Sequence, residues 1–319
     1  MAHFDIFREE LAIKYPAYGH ALWEPSPGKL YDAIEVGDVG YIREGKFHRL
    51  FNALLPGDHD SHRNFGVPEY HEPLKPKMSK HIDSGTLSPN DLCSGAVTVT
   101  SGGLDVLATG PVGAAQVSFS CSRRQGAILS LPVQAQRQDT VARGEFGRWI
   151  VKHINLWFAF TQELGLGLNR MEDIILVTGF HRARSWANIA FSEGSGGARV
   201  SFGVRVSGTS GTNVEWKYSR EDIQGVVLNL GPSGQNLPED QCIFVRGFRV
   251  TRFIRILPRL RGAAGPAPLP DGHEPEPDAQ LVSVPAGTNY QDPLRTLLEY
   301  IAEVGTPWEI FCATVVGMN

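Results

Sequence analysis

The sequence predicts an α+β protein: a twisted, largely antiparallel sheet with amphipathic hairpins and one long packed helix over about residues 145–164. Three observations predict this class. Apolar and polar residues alternate strictly in two pairs of segments joined by short turns, a later stretch changes to helical spacing, and a continuous run of four apolar residues has the pattern of a buried strand. Helices and antiparallel strands in separate stretches of chain are typical of the α+β class.

The first third of the chain contains a short helix, two strands and a long polar stretch. Phe7 and Leu11 have i, i+4 spacing and predict a helix over residues 5–14. Residues 36–55 follow as two strands around a Glu-Gly turn. Residues 56–94 are dense in His, Pro and Asp and show little periodicity, so we expect a loop there.

Two segments have the pattern of amphipathic hairpins. The first covers residues 115–135 with an Arg-rich turn at 123–126, and the second covers residues 186–206 with a Gly-rich turn at 193–197. The apolar face carries Val117, Phe119, Cys121, Leu129, Leu131 and Val133 in the first hairpin, and Ala187, Ile189, Phe191, Val200, Phe202, Val204 and Val206 in the second. Serine dominates the other face of the first hairpin, and Arg and Ser that of the second.

The long helix is predicted from helical spacing between residues 146 and 164. Its apolar stripe consists of Phe146, Trp149, Ile150, Ile154, Trp157 and Phe158, and Gly165 lies where a C-terminal cap belongs. The run Ile174–Val177 then predicts a central buried strand. Val214–Tyr218 and a last core strand at about residues 242–256 complete the predicted sheet.

Three regions are predicted: a main α+β domain over residues 1–261, a Pro-rich linker over 262–278, and a small acidic appendage over 279–319 that includes a helix at 292–301. The formal net charge is −4, but residues 263–319 hold eight acids and one base, a net of −7, which leaves +3 for residues 1–262. An acidic tail supports solubility, and alternatively it shields a basic surface on the body of the protein.

The composition is that of a soluble globular protein, with 42% apolar and 20% charged residues. The first residues have no basic region followed by an apolar run, and no stretch reaches the ~18 apolar residues of a membrane-spanning helix. Cys93, Cys121, Cys242 and Cys312 lie far apart and form no CxxC pair, so we expect reduced thiols. These features predict a cytoplasmic protein.

The familiar enzyme signatures GxSxG, HExxH and GxxxxGK[ST] do not occur in the sequence, and no cofactor is predicted. One segment offers ligands for a first-row metal, because imidazoles and carboxylates are interspersed between residues 58 and 81. The candidate metal ligands are His59, His62, His71 and His81. The alternative is a solvated polar loop, and whether the chain is an enzyme stays open at this point.

A basic stretch is the strongest candidate for binding. Arg246, Arg249, Arg252, Arg255, Arg259 and Arg261 fall within sixteen residues that hold no acid, with aromatic and aliphatic residues between them. Guanidinium groups in such a pattern can hold phosphates or anionic headgroups. The alternative is an edge strand protected by charge. The negative net charge and the lack of an RNA-stacking motif make nucleic acid the weaker partner.

The alternating segments also admit two interpretations. A hairpin with one apolar face normally packs that face on a core and exposes the other to water. Strands of about ten residues that alternate cleanly are also typical of strands that line a membrane pore. The Ser and Arg residues of the polar faces suit a water-filled lumen.

Two resemblances extend this picture. Residues 36–42 (VGDVGYI), 175–180 (ILVTGF) and 237–248 (LPEDQCIFVRGF) are similar to uncharacterised proteins of mushroom-forming fungi, a likeness that implies no activity. More remotely, the order of elements over residues 36–256 resembles the pore-forming N-terminal domain of gasdermins. It comprises a strand that ends at Arg43 and Lys46, an alternating hairpin, a helix, the strand DIILVTG, a second hairpin and the strand LPEDQCIFVRGFRV.

The gasdermin resemblance implies binding of anionic lipids, insertion of hairpins, self-association on membranes and restraint by a C-terminal segment. On this hypothesis the lipid-binding residues are Arg246, Arg249, Arg252, Arg255, Arg43 and Lys46. A non-catalytic binding module, whose basic strand meets a protein partner, is the alternative. A metal-dependent enzyme that uses the histidine segment is the third hypothesis.

Overall fold

The structure is a computed structural model and describes residues 1–27, 33–101, 112–192, 199–207, 213–219, 225–255 and 308–316. Two α-helices, α1 (His3–Lys14) and α2 (Arg143–Glu163), accompany the strands, and the α+β class is confirmed. The first strands are β1 (His20–Ala21), β2 (Asp38–Arg43), β3 (Lys46–Asn52), β4 (Ile82–Leu87), β5 (Asn90–Cys93), β6 (Val97–Ser101), β7 (Val112–Cys121), β8 (Gly126–Leu131) and β9 (Ala135–Thr140). The later strands are β10 (Ile174–Ala183), β11 (Ala187–Phe191), β12 (Arg199–Ser207), β13 (Asn213–Ser219), β14 (Val226–Leu230), β15 (Gly234–Gln235), β16 (Gln241–Arg255) and β17 (Trp308–Val316).

The largest sheet is organised around the two long strands β10 and β16, which run antiparallel from Leu176 opposite Phe248 to Ala183 opposite Gln241. On the far side of β10, β2 pairs with its first residues and β9 with its last. On the far side of β16, β1 and β17 pair with successive lengths of the strand. Strands β3 and β4 extend the sheet beyond β2 and β9. Every strand pairing in the described ranges is antiparallel, as predicted.

Two further sheets share one apolar core. One has the strand order β14-β11-β8-β5 and the other β15-β13-β12-β7-β6. Their common cluster combines Ile128, Ile189 and Phe191 of the first sheet with Phe119 and Val204 of the second. The other face of the first of these sheets packs on α1 and β16, through residues such as Leu129, Phe7 and Phe244. Strands β8 and β11 are therefore buried on both faces.

The predicted hairpins are wrong in their pairing, although their strands are found. β7 pairs with β12 and β6, whereas β8 pairs with β11 and β5, so the chain crosses from one sheet to the other at residues 122–125. β11 and β12 are divided between the same two sheets. The apolar faces predicted for β7, β11 and β12 lie in the common core through Phe119, Ile189 and Val204. Leu129 and Leu131 of β8 lie on the other side of their sheet, toward α1 and β16. The pattern therefore cannot distinguish a neighbour in the sheet from a partner across the core.

Helix α2 covers the large sheet, and its predicted stripe is largely confirmed. Phe146, Ile150 and Ile154 have no exposed surface and Trp157 is 2% exposed, whereas Trp149 and Phe158 are half-buried. The helix ends before a glycine with φ +63°, a conformation that favours glycine. The N–H groups of residues 165 and 166 return to the carbonyls of residues 162 and 161 and cap the last turn.

Three further predictions concern the stretch 56–94, the linker with the helix after it, and the C-terminal appendage. The stretch 56–94 is not all loop, because it contains β4 and β5, two short and largely polar strands without an apolar period. The predicted helix at 292–301 and the linker at 262–278 lie outside the described residues. Trp308–Val316 of the predicted appendage joins the main sheet as β17, opposite residues 247–255 of β16.

We expect the substitution Ile154→Ala to lower the free energy of unfolding by about 2–5 kcal/mol, because it removes a fully buried side chain between α2 and the large sheet. Asn155→Ala, on the exposed face of the same helix, is the matched control and should change the value by less than ~0.5 kcal/mol. Urea unfolding measures both. Equal losses from the two substitutions would contradict the packing described for this helix.

Candidate functional site

The arginine-rich strand β16 holds a buried charge at its centre. Arg246 is 2% exposed, although it is the first arginine of the basic run in the sequence. Its guanidinium donates to the Asp139 carboxylate at 2.5 Å, to the Tyr18 carbonyl at 2.9 Å and to His181 Nδ1 at 2.8 Å. The carbonyls of Phe180 and Gln138 accept further bonds at 3.2 and 3.4 Å. Arg246 thereby connects its own strand β16 to three other segments: the turn at Tyr18, β9 and β10.

The electrostatics of this cluster keep His181 neutral. Burial, and then the neighbouring guanidiniums of Arg246 and Arg137, lower the pKa of His181 to about 3. A neutral imidazole accepts the hydrogen bond from Arg246 at Nδ1, whereas an imidazolium would place a second positive charge against the guanidinium. Burial lowers the pKa of Arg246, and the neighbouring Asp139 carboxylate opposes that effect.

Gly179 makes room for the ion pair. A Cβ atom at this position would lie 2.0 Å from Asp139 Oδ1 and 2.7 Å from the Gln138 carbonyl oxygen. Gly179 and Asp139 are direct neighbours across β10 and β9, next to an irregularity in the pairing of β10 with β16. The glycine in the predicted buried strand is therefore required by the close approach of a carboxylate.

The ion pair continues to the protein surface. Asp139 Oδ2 lies 3.2 Å from Arg137 Nε, and Arg137 Nη2 donates to Asp83 of the edge strand β4 at 2.8 Å. The Asp83 side chain is 54% exposed and that of Arg246 is 3% exposed. A row of alternating charges thus runs from the solvent-exposed edge of the large sheet to its interior. This row was not predicted from the sequence, in which its one signal is the presence of Gly179 and His181 within an apolar strand.

The six predicted lipid-binding residues are placed very differently. Arg246, predicted as a lipid-binding residue, is buried and its guanidinium is occupied by contacts within the protein. Arg249 is half-buried, burial lowers its pKa, and its Nε is shielded from solvent. Arg252 and Arg255 pair with Phe311 and Trp308 of β17, and their side chains lie outside the described part.

The two bases of the early hairpin flank its turn. Arg43 is exposed, donates to the Leu166 carbonyl at 2.7 Å and lies 5.1 Å from the centre of the Tyr41 ring. Lys46 is directly opposite Arg43 and is half-buried. Of the predicted residues whose side chains are described, Arg43 alone is fully on the surface.

Three of the four candidate metal ligands lie near one another, since the ring centres of His59 and His62 are 6.1 Å apart and those of His62 and His71 are 5.9 Å apart, but their nitrogens are used in other contacts. His62 is 3% exposed, its Nε2 accepts the N–H of Asn52 at 3.1 Å, and burial lowers its pKa. His71 Nε2 bonds the Leu55 carbonyl at 2.9 Å, and His59 Nδ1 accepts from the backbone of Ser61. His81 lies beside the ring of Phe146, at the start of α2. Among the described residues, no three His, Cys, Asp or Glu side chains form a group that could hold a metal ion.

The cysteines whose side chains are described are free and buried. Burial raises the pKa of Cys93 and of Cys242 to about 12, so both thiols are protonated at neutral pH. A protonated, shielded thiol is a poor nucleophile. These residues fill the core and offer no reactive centre.

Strands β7 and β12 form a two-faced ribbon. They pair antiparallel over nine consecutive residue pairs, from Val112 opposite Ser207 to Ser120 opposite Arg199. On one face, Phe119, Val200 and Val204 are buried at 0%, 4% and 2% exposure. On the other face, the hydroxyls of Ser118 and Ser201 bond each other at 2.8 Å. The exposed side chain of Arg205 shares this polar face.

Comparison of the chain with known protein families, with curated proteins and with solved structures finds no match in any of the three. Neither helix in the described ranges combines the length and the apolar character that crossing a membrane requires. The functional assignment therefore depends on the geometry of the chain itself.

We expect stability to depend on pH through His181. Its pKa is about 3 in the folded protein and ~6.5 when unfolded, so the unfolded chain binds the proton more readily. The contribution of His181 is complete above pH ~6.5 and is lost as the pH falls through that value toward 3, by about 1.4 kcal/mol per unit.

The measurement is the free energy of unfolding of wild type minus that of His181→Gln, followed from pH 7.5 downward by urea titration. Gln keeps an acceptor for Arg246 but does not titrate, and the subtraction removes the titrations of other groups. Asp38 is one such group, since burial raises its pKa to about 6 and it acts in the opposite direction. A difference that stays constant down to pH 4.5 would show that His181 has an ordinary pKa.

Proposed function

We propose that the chain is a membrane-active protein that binds anionic lipids, self-associates and forms pores by inserting strands β7 and β12, the function implied by the gasdermin resemblance. The observation that carries the proposal is the ribbon of these two strands. Its apolar face is formed by Phe119, Cys121, Val200 and Val204, and its polar face by Ser118, Ser201 and Arg205. A pore-lining strand needs this division between a lipid side and a water side.

The lengths of the strands support insertion. A membrane-spanning strand requires roughly 9–11 residues when it is tilted. β7 has 10 residues and β12 has 9, whereas the neighbouring β13 has 7 and β6 has 5. β7 and β12 therefore meet the requirement as a pair, and their mutual backbone hydrogen bonds can be kept in the lipid, where unpaired backbone groups are costly.

Insertion would exchange one apolar environment for another. In the fold described here, the apolar face of the ribbon contacts β8 and β11 through Ile128, Ile189 and Phe191. Lipid tails would replace these contacts, so the hydrophobic effect does not oppose the transfer of this face. The outer edges of the ribbon then need partners, which copies of the same ribbon supply. Self-association on the membrane is thus part of the proposal.

The C-terminal segment is assigned a restraining role. β17 pairs with residues 247–255 of β16, the half of that strand that carries Arg249, Arg252 and Arg255. The chain from residue 263 onward has a net charge of −7. Departure of β17 would uncover a row of backbone groups together with these arginines, which can then engage anionic headgroups. Arg246 stays in its buried cluster and has no place among the lipid contacts.

The first test is dye leakage from anionic liposomes before and after cleavage of the full chain. A protease recognition sequence inserted after Pro270 allows the tail to be cut from the folded protein. We expect cleavage to increase leakage severalfold, because a cut tail can dissociate. The same cut chain with Arg252→Glu and Arg255→Glu should lose the gain.

The controls are the uncut chain and liposomes of neutral lipid. If intact and cut chains neither release dye nor sediment with anionic liposomes, the pore proposal fails. Binding of a protein partner without lipid binding would then favour the non-catalytic binding module, whose predicted partner surface is the same basic strand.

The second test addresses the polar face of the ribbon. We expect Ser118→Leu with Ser201→Leu to reduce leakage by about tenfold or more, because it removes the hydroxyl pair from the lumen side and leaves an apolar strand face that does not stabilise water. The matched control is Ser84→Leu with Thr86→Leu, two exposed positions on β4 outside the ribbon. Equal leakage from both double variants, at equal lipid binding, would exclude β7 and β12 as pore-lining strands.

A further inference from the structure

Segment 72–82 lies along the first turns of α2. The N–H of Lys77 donates to the Glu145 carboxylate at 3.1 Å, and the N–H of Val141 donates to the His81 carbonyl at 2.8 Å. Further along the helix, Lys152 Nζ lies 4.0 Å from the Glu72 carboxylate. These contacts order the segment antiparallel to the helix, so one surface contains side chains from both.

Positive charge accumulates on this surface. Glu145, Arg148, Trp149 and Lys152 are spaced three and four residues apart and share the helix face that contacts the segment. The exposed bases are Lys75, Lys77, Lys80, Arg148 and Lys152. Two acids, Glu72 and Glu145, lie among these five bases, and Glu145 already accepts a backbone N–H, while the exposed Asp83 next to Ile82 is paired with Arg137. The surface is therefore strongly cationic, although the whole chain is acidic.

Aliphatic side chains project from the same surface. Met78 is 54% exposed, Val141 53% and Ile82 37%. Trp149, on the helix face that contacts the segment, is half-buried with Lys152 over its ring at 5.1 Å. Single exposed aliphatic residues are ordinary, but several of them surrounded by lysines at one site match the two attractions of an anionic membrane. These are charge at the headgroups and apolar contact just below them.

We propose that this surface is where the chain first contacts an anionic membrane. It is called the docking patch and consists of Lys75, Lys77, Lys80, Arg148, Lys152, Met78, Ile82 and Val141. The role of the patch rests on the proposed membrane activity and adds to it a surface that is exposed while β17 is in place. The lysines bind headgroup phosphates or carboxylates, and the three aliphatic side chains enter the interface.

The membrane fits this surface better than a nucleic acid does. Phosphate contacts alone would use the bases, but they leave Met78, Val141 and Ile82 without a partner. Stacking of bases requires exposed aromatic rings, and Trp149 is half-buried beneath Lys152. A lipid interface uses the charges and the aliphatic tips together.

The test measures co-sedimentation of the full chain with vesicles of phosphatidylserine and phosphatidylcholine. The charge variant Lys75→Gln, Lys77→Gln, Lys80→Gln should partition on the order of a hundredfold more weakly, since each base near an anionic surface contributes about fivefold. Met78→Ser with Val141→Ser should weaken partitioning without changing its dependence on salt. All of these positions are exposed, so the fold should tolerate the changes, which thermal unfolding checks.

The matched control removes the same charge elsewhere, by Lys14→Gln, Arg123→Gln and Arg124→Gln at exposed positions. Its partitioning should remain within about threefold of wild type, since its bases lie outside the patch. If control and charge variant lose binding equally, attraction is a property of overall charge and the docking patch is overturned. Equal binding of wild type to pure phosphatidylcholine vesicles would overturn it as well, as would preferential loss of RNA binding by the charge variant while vesicle binding is unchanged.

The outcomes separate the docking patch from pore formation. If wild type releases dye and the charge variant does so equally, the patch is wrong and the pore proposal stands. If wild type binds vesicles through the patch and releases no dye even after cleavage, the patch stands and the pore proposal fails. If wild type binds no vesicles, both fail.

Discussion

Burial of one guanidinium imposes the strongest constraint on this fold. An ionised group that is withdrawn from water without partners costs several kcal/mol, so Arg246 requires acceptors on all sides. They come from three segments: the turn at Tyr18, strand β9 through Asp139 and the Gln138 carbonyl, and strand β10 through His181 and the Phe180 carbonyl. Each of these segments must stay in position for the charge to remain satisfied. The cluster thereby ties the N-terminal segment and β9 to the central pair β10 and β16.

The rest of the architecture is built outward from that pair. β16 carries β1 and β17 along one side, and β10 carries β2 and β9 along the other. Helix α2 covers part of this sheet through Phe146 and Ile150, while α1 and the sheet of β8 and β11 pack near Phe244. The ribbon of β7 and β12 belongs to the outermost layer, and the sheet of β8 and β11 separates it from β16. A residue of the ribbon is thus remote from the buried charge.

Local patterns in the sequence predicted the elements well. The stripe of α2, the turn between β2 and β3, and the buried faces of β7 and β12 all depend on residues within a few positions of one another. The strands β4 and β5 escaped prediction because they are short and polar and are specified by their neighbours β9 and β8. Tertiary context decides such strands.

The partners in three dimensions could not be predicted from the same patterns. Arg246 has the sequence environment of a surface arginine, because its neutralising carboxylate, Asp139, is 107 residues away. A run of arginines shows where positive charges lie along the sequence, but it does not show which arginine will lie close to an acidic side chain in the fold. The pairing of β7 with β12 across eighty residues was hidden for the same reason, since alternation is equally consistent with a hairpin and with two facing layers. Both the burial of Arg246 and the pairing of β7 with β12 depend on contacts between residues that are far apart in the sequence.

The outer sheet, which contains β7 and β12, is held to the protein differently from the strands around Arg246, and this difference bears on the proposed insertion. Within the described strands, no ladder of backbone hydrogen bonds joins the sheet of β7 and β12 to the sheet of β8 and β11. The two sheets meet through apolar side chains. One polar contact nearby is the hydrogen bond that Trp216 of β13 donates to the Ser185 hydroxyl, just before β11. Separating these layers costs apolar contact, which lipid restores. Separating β9 from β10, or β10 from β16, would expose Arg246 and break a ladder, losses that a membrane interior cannot compensate. The outer layer can therefore separate from the layer beneath it without breaking a ladder between them and without exposing Arg246.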